Sequence, residues 1–235
     1  MAEKTWLEVN AGLMEYGAAM ELQTRLVAAR IDGRLAMDVV LWLEHPSVFT
    51  LGLRGGGENL LVPEEFLKRR GIPLVRTRRG GNITYHGPGQ LVAYPIIDLA
   101  AGRLRVADYV HRLEAVMLGT CSAFGVAASR NLINRGVWAG DRKLGSIGVA
   151  IRRGVSFHGM ALNVHPDLTP FEWIHPCGLA RTRMTSLAVE ARREVTMEEA
   201  RGRAREQMAA VFQRMPVVVA PDDLKTLIPA ARENP

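Results

Sequence analysis

The 235-residue chain has only two cysteines, Cys121 and Cys177, too few for a disulfide framework and in keeping with a reducing compartment. No run of about 18 apolar residues occurs, so no membrane-spanning helix is expected. Residues 1–6 lack a basic segment followed by an apolar core, so no secretory leader is expected and the chain reads as cytoplasmic. No Gly-Lys-Ser/Thr closes a glycine-rich loop, and no G-x-G-x-x-G follows a strand, so a nucleotide phosphate is not the obvious guest. No His/Cys cluster has zinc spacing, and no metal is expected. Aromatic residues make up 6% and are not interleaved with the basic ones, which disfavours a stacking platform for nucleic acid despite a formal charge of +6. Such a basic surface suits an acidic protein equally well.

What the chain does have is 48% hydrophobic and 23% charged residues, which suits one globular domain spanning 1–235. Residues 11–31, rich in Ala, Leu and Met without proline, predict a helix ending near Asp32-Gly33. Val39–Leu43 reads as a central strand, and Ser47–Gly52 as further extended chain after Glu44-His45-Pro46, where His45 reads as a turn histidine. A short helix follows at Pro63–Lys68 and a strand at Leu74–Thr77. Val106, Val110, Leu113, Met117, Cys121 and Phe124 fall at helical spacing and predict an amphipathic helix, with Cys121 as a small hydrophobe on its core face. From 136 to 164 the pattern predicts three strands in a meander, turned at Asp141-Arg142 and at Arg152-Arg153-Gly154. Glycines 145, 148 and 159 inside these strands require the close approach of a ligand or another backbone, as a channel for an extended chain would. Thr196 and Glu199 form a capping box for a helix to about Gln213, and the tail from Pro216 is mixed, with Ala230–Pro235 expected to fray.

The most unusual stretch is Arg78-Arg79-Gly80-Gly81-Asn82-Ile83-Thr84-Tyr85-His86-Gly87-Pro88-Gly89-Gln90, leading into an apolar strand over Leu91–Leu99. A plain turn does not need a histidine, a tyrosine and a threonine beside its glycines. The pattern R-G-G-x-x-T-Y-H-G-P-G-Q resembles the signature of the lipoyl(octanoyl) transferases, and so do the earlier L-E-H-P-x-V-F-T-L-G and the K-x-x-x-I-G strand from Lys143 with the Pro176-Cys177-Gly178 loop. The resemblance spans roughly residues 10–215; it departs at Gly145, where an alanine-like residue is more familiar. It implies an α/β fold, a mixed and largely antiparallel sheet packed with helices, like the catalytic domain of biotin and lipoate protein ligases.

It also implies a reaction: transfer of an octanoyl group from octanoyl-acyl carrier protein to a lysine of lipoyl domains. The acceptors would be 2-oxoacid dehydrogenase complexes and the glycine cleavage H protein. No cofactor is expected, since the donor carries its own phosphopantetheine and the transfer is downhill. Cys177 would be the acyl-thioester nucleophile and Lys143 the cation that lowers its pKa and moves protons. Read without the resemblance, Lys143 beside Asp141-Arg142 is a solvated turn residue. The substrate pocket would be lined by Arg79, Gly80, Gly81, Asn82, Ile83, Thr84, Tyr85 and His86, by Ser146, Ile147 and Gly148, and by Gly159, Met160 and Ala161. Backbone N–H groups among these glycines are candidates for an oxyanion hole. His86 and His158 stand open between a supporting and a structural role. The competing readings are an ATP-dependent lipoate ligase, which has no need of the Cys177 loop, and a basic binding module, which leaves Lys143 and Cys177 unexplained.

Overall fold

The computed structural model describes residues 5–131, 134–178 and 182–227, excepting the side chains of Cys177 and Lys225. In chain order, β1 (Thr5–Leu13) leads into α1 (Tyr16–Ile31), β2 (Asp38–Glu44) and β3 (Val48–Leu51). Then come α2 (Glu64–Arg69), β4 (Leu74–Arg76), β5 (Ile83–His86), β6 (Gln90–Ile96) and α3 (Val106–Ala123). The second half holds β7 (Ser129–Arg130), β8 (Gly136–Ala139), β9 (Arg142–Arg152), β10 (Val155–Asn163), β11 (Arg183–Met184), α4 (Leu187–Ala191), α5 (Met197–Phe212), β12 (Met215–Val218) and α6 (Pro221–Leu227).

Among the described residues the main sheet runs β12-β1-β2-β6-β10-β9-β8-β7, with β11 beside β9; a second, small sheet runs β4-β3-β5. The pairs β12/β1, β1/β2 and β11/β9 are parallel, and the remaining ladders of the main sheet are antiparallel. The expected mixed, largely antiparallel sheet is therefore what the chain adopts. The expected meander is β8-β9-β10.

The continuous apolar runs of β2 and β6 are explained by burial on both faces. Val40, Trp42, Leu91 and Ala93 face a core closed by Leu113 and Met117 of α3 and by Ala204, Met208 and Phe212 of α5. Val39, Leu41, Val92 and Ile96 face the other way, onto Ala19, Leu26 and Ala29 of α1. The face of α3 that turns inward carries Tyr109, Leu113, Val116, Met117 and Cys121, whereas Val106 is exposed. Cys121 is thus the buried hydrophobe expected, and burial pushes its thiol up to about 12. The capping box is present, with Thr196 and Glu199 exchanging side-chain and backbone bonds.

Two expectations are corrected. The helix expected from residue 11 starts only at Tyr16, and the preceding residues form β1, an inner strand of the main sheet. Glu8 hid this strand: it is buried and paired with Arg205 of α5, where a charge in a strand would ordinarily signal solvent. The tail from Met215 supplies an edge strand and a helix, Pro216 being tolerated because its strand has one free side. Ala230–Pro235 lie outside the described residues. Among the described residues no helix is long and apolar enough to cross a membrane.

Candidate active site

A cavity lies between the loop 78–82 with β5, the N-terminal end of α1, and the β9–β10 hairpin. It exists because β10 bends away from β6. The two strands pair from Asn163↔Gln90 to Met160↔Ala93 and then part. His158 there adopts a left-handed conformation at φ 55° and donates its backbone N–H to Gln23 Oε1 of α1 at 2.7 Å instead of to a strand. Contact with β6 resumes where Ser156 Oγ donates to Pro95 O at 2.8 Å, with Ser156 N–H meeting Ile97 O just beyond the strand at 2.9 Å.

Of the expected pocket residues, Arg79, Gly81, Asn82, Thr84 and His86 line this cavity, with Ser146, Ile147, Gly148, Gly159, Met160 and Ala161 opposite. Ile83 and Tyr85 do not. Side chains alternate along β5, so Thr84 and His86 face the cavity while Ile83 and Tyr85 enter the core of the small sheet. Tyr85 packs there against Phe49 and Phe171, its hydroxyl 2.9 Å from Ser47 Oγ. Gly80 belongs to the neighbouring groove, and its N–H is already bonded to Val149 O at 2.9 Å.

The strand glycines admit protein neighbours. A Cβ on Gly148 would come within 2.9 Å of Arg79 Cδ, one on Gly159 within 2.2 Å of Ala93 O, and one on Gly145 within 2.7 Å of Met117 Sδ. Gly148 and Gly159 still border the cavity, but Gly145 does not. Close backbone approach accounts for Gly159, whereas Gly145 and Gly148 make room for the side chains of Met117 and Arg79.

Arg79 is buried and fixed. Its Nη2 donates to Thr50 O at 2.6 Å and to Thr50 Oγ1 at 2.7 Å, and Nη1 donates to Gly80 O at 3.1 Å. Around this charge sit three buried histidines. His45 is no exposed turn residue: its Nδ1–H donates to Met14 O, and its Nε2 accepts from the Tyr94 hydroxyl, each at 2.7 Å. Burial lowers its pKa to about 4. His86 lies with Nδ1 at 2.6 Å from Gln90 Oε1, and burial, then His45, hold it well below the usual value. His158 is lowered to about 3 by burial, then by Arg79 and His45. All three are neutral at neutral pH. Tyr16 and Tyr94, which the sequence did not single out, complete this end of the cavity. A polar residue within an apolar strand, as Tyr94 is, was the one available signal.

Lys143, on β9, is 1% exposed, and this overturns its reading as a solvated turn residue. Its Nζ donates to Arg135 O at 3.1 Å and to Asn134 Oδ1, and lies 5.3 Å from the Trp138 ring. Asn134 and Arg135 escaped the sequence reading because nothing in their spacing ties them to Lys143. Cys177 lies in a short 3-10 turn, Pro176–Gly178; its side chain is outside the described residues. Gly178 has φ 74°, and a Cβ there would reach within 2.9 Å of Asn82 Nδ2, so the turn is packed against the start of β5. A second groove, lined by Gly178, Asn134, Arg135 and Arg54, adjoins the cavity and shares Gly81, Asn82, Ile147 and Gly148 with it. The backbone around Cys177 and the groups that hold Lys143 therefore border one groove.

A family model, the lipoyl protein ligase A/B catalytic domain, matches residues 15–209. An octanoyltransferase of Desulfotalea psychrophila is 47% identical over 212 residues, covering 89% of this chain and 95% of the relative. One of Bacteroides fragilis is 42% identical, covering 86% and 96%. The chain belongs to the octanoyltransferase family. It is accordingly an acyltransferase. Among solved structures, lipoate-protein ligase A bound with ATP superposes with a TM-score of 0.73 at 16% identity, covering 95% of this chain and 92% of that one. A bi-partite lipoate protein ligase of Thermoplasma acidophilum gives 0.68 at 16%, covering 95% and 91%. At that identity the likeness concerns the fold alone, and it agrees with the ligase-like architecture expected.

Proposed function

We propose that this octanoyltransferase takes the octanoyl group from octanoyl-acyl carrier protein and places it on a lysine of lipoyl domains, through a thioester on Cys177. The acceptors are the lipoyl domains of 2-oxoacid dehydrogenase complexes and the glycine cleavage H protein, met in the cytoplasm, and no cofactor is needed. In the first half the Cys177 thiolate adds to the thioester carbonyl carbon. The oxyanion collapses and expels the phosphopantetheine sulfur, which takes a proton from the Lys143 ammonium. In the second half the neutral amine of the acceptor lysine adds to the Cys177 thioester, gives its proton to Lys143, and expels the Cys177 thiolate. Each half thus restores what the other consumes.

The supporting observation is that the groove bordered by Gly178 and Asn134 and the cavity share Gly81, Asn82, Ile147 and Gly148 in their walls. The chain would lie along Ile147, Met160 and Ala161, its reacting carbonyl at the groove end. Gly80 and Gly178 are weak candidates for the oxyanion hole, since Val149 O and His175 O already engage their N–H groups.

The test is intact mass after incubation with octanoyl-acyl carrier protein, without ATP, for the native chain, Cys177→Ser and Lys143→Ala. Gain of one octanoyl group, labile to hydroxylamine and transferable to a lipoyl domain, is expected for the native chain alone. A native chain that stays unmodified and acylates the domain only with ATP and free acid would identify a ligase instead. Near-normal turnover by Lys143→Ala would remove the lysine from the mechanism.

A further inference from the structure

We propose that Glu114 and Asn134 are positioning residues for Lys143: Glu114 clamps the backbone of the segment before β8, and that segment offers the Lys143 ammonium two uncharged oxygens. The inference rests on the proposed role of Lys143 beside Cys177. Glu114 is fully buried in α3, where a carboxylate is costly unless it is paired and hydrogen-bonded. Its partners all come from one short stretch of chain. Oε1 accepts the Gly136 N–H at 3.2 Å; Oε2 accepts from Arg130 Nε at 3.1 Å and lies 3.6 Å from Arg135 Nη1. Arg130 is itself tied to α3 by a bond from Nη2 to His111 O at 3.2 Å.

The clamp meets a backbone that has no slack. Gly136 has φ 121°, and a Cβ on it would lie 2.2 Å from Gly145 O and 3.3 Å from Lys143 Cε. With Gly136 held from one side by Glu114 and from the other by β9, the two preceding residues are aimed at Lys143. Their contributions are the Asn134 amide oxygen and the Arg135 carbonyl, the latter 3.1 Å from Nζ.

The choice of atoms matters chemically. A carboxylate touching the ammonium would cancel the field that a thiolate needs and would hold the proton too firmly. The oxygens of Asn134 and Arg135 orient the ammonium without bringing a negative charge of their own. Glu114 stays one step back, its charge matched by Arg130 and Arg135.

The experiment measures the pH dependence of Cys177 alkylation by iodoacetamide, read by peptide mass, together with kcat, KM and Tm of acyl transfer, for Glu114→Leu, Glu114→Gln, Asn134→Asp and Lys143→Met. Glu114→Leu is expected to lower kcat about tenfold or more, with the donor KM little changed. Glu114→Gln, which keeps an acceptor for the Gly136 N–H, should recover part of that loss. Asn134→Asp should raise the apparent thiol pKa by about one unit while leaving Tm unchanged. If Lys143→Met shifts the alkylation profile but Asn134→Asp and Glu114→Gln match the native chain in profile and kcat, the inference is overturned while the role of Lys143 stands. If Lys143→Met leaves the profile unmoved, both fall together. Should Glu114→Leu fail to fold, Asn134→Asp and Glu114→Gln decide the matter.

Discussion

Gly159→Ala separates two reasons for a glycine beside the cavity. The added methyl would sit 2.2 Å from Ala93 O and 2.7 Å from Pro95 Cδ. Ordinary carbon contacts need about 3.5 Å, so β6 and β10 would have to separate by roughly 1 Å where their pairing ends. Both obstacles belong to the chain of a central strand and cannot rotate aside. Overpacking of this kind costs about 3 kcal/mol, the upper end of the usual range. For a chain of this size that lowers Tm by roughly 6–12 °C. The matched control is Gly202→Ala, in α5, where a Cβ meets nothing within 4 Å. It should raise Tm by about 2 °C through helix propensity alone. The assay is thermal unfolding of both variants, with transfer rates from octanoyl and hexanoyl donors. If Gly159→Ala keeps the native Tm but shifts preference to the shorter chain, the glycine serves the channel and the reasoning from backbone contact is wrong.

Asp38 is buried and accepts from Arg30 Nε at 2.9 Å, from Arg214 and from the Asp98 N–H at 3.0 Å. Asp38→Ala leaves two partly exposed guanidinia without it and should cost about 3 kcal/mol in urea unfolding; a loss under 1 kcal/mol would contradict this. His45, at about 4 in the fold against 6.5 in the unfolded chain, binds its proton more readily when unfolded. Stability is therefore full above pH 6.5 and falls as pH drops toward 4, by about 3 kcal/mol from this group, with His158 adding to the loss. Equal urea midpoints at pH 7.5 and 4.5 would refute it. Arg79→Lys removes the fork that spans Thr50 O and Thr50 Oγ1, and kcat/KM should fall about tenfold or more even though the charge is kept. Activity within twofold of native would show that charge alone matters there.

How much of this was legible depended on whether a residue's partner was near it in sequence. The face of α3, the Thr196 capping box and the meander rest on local periodicity, and each could be read directly. β1 could not, because the partner that makes Glu8 tolerable in a strand is Arg205, far along the chain. β5 was lost inside a glycine-rich stretch, its four residues being too few to display alternation, so Ile83 and Tyr85 were grouped with neighbours that face the other way. The neutral histidines were invisible for the same reason: only folding brings Arg79, His45 and His158 together. Motif resemblance pointed to Lys143 and Cys177, but not to Asn134, which bonds the lysine directly, or to Glu114, which reaches it through Gly136.

The parallel pairing of β1 with β12 has a consequence for synthesis. The outer neighbour of the first strand is made about 200 residues later, on the order of ten seconds or more at ordinary translation rates. Until then one side of β1 presents unpaired backbone groups, the kind of edge that recruits other chains. A nascent chain stalled before Met215 would carry its cavity walls complete and its sheet still open, so the last strand to emerge protects solubility more than it shapes the cavity.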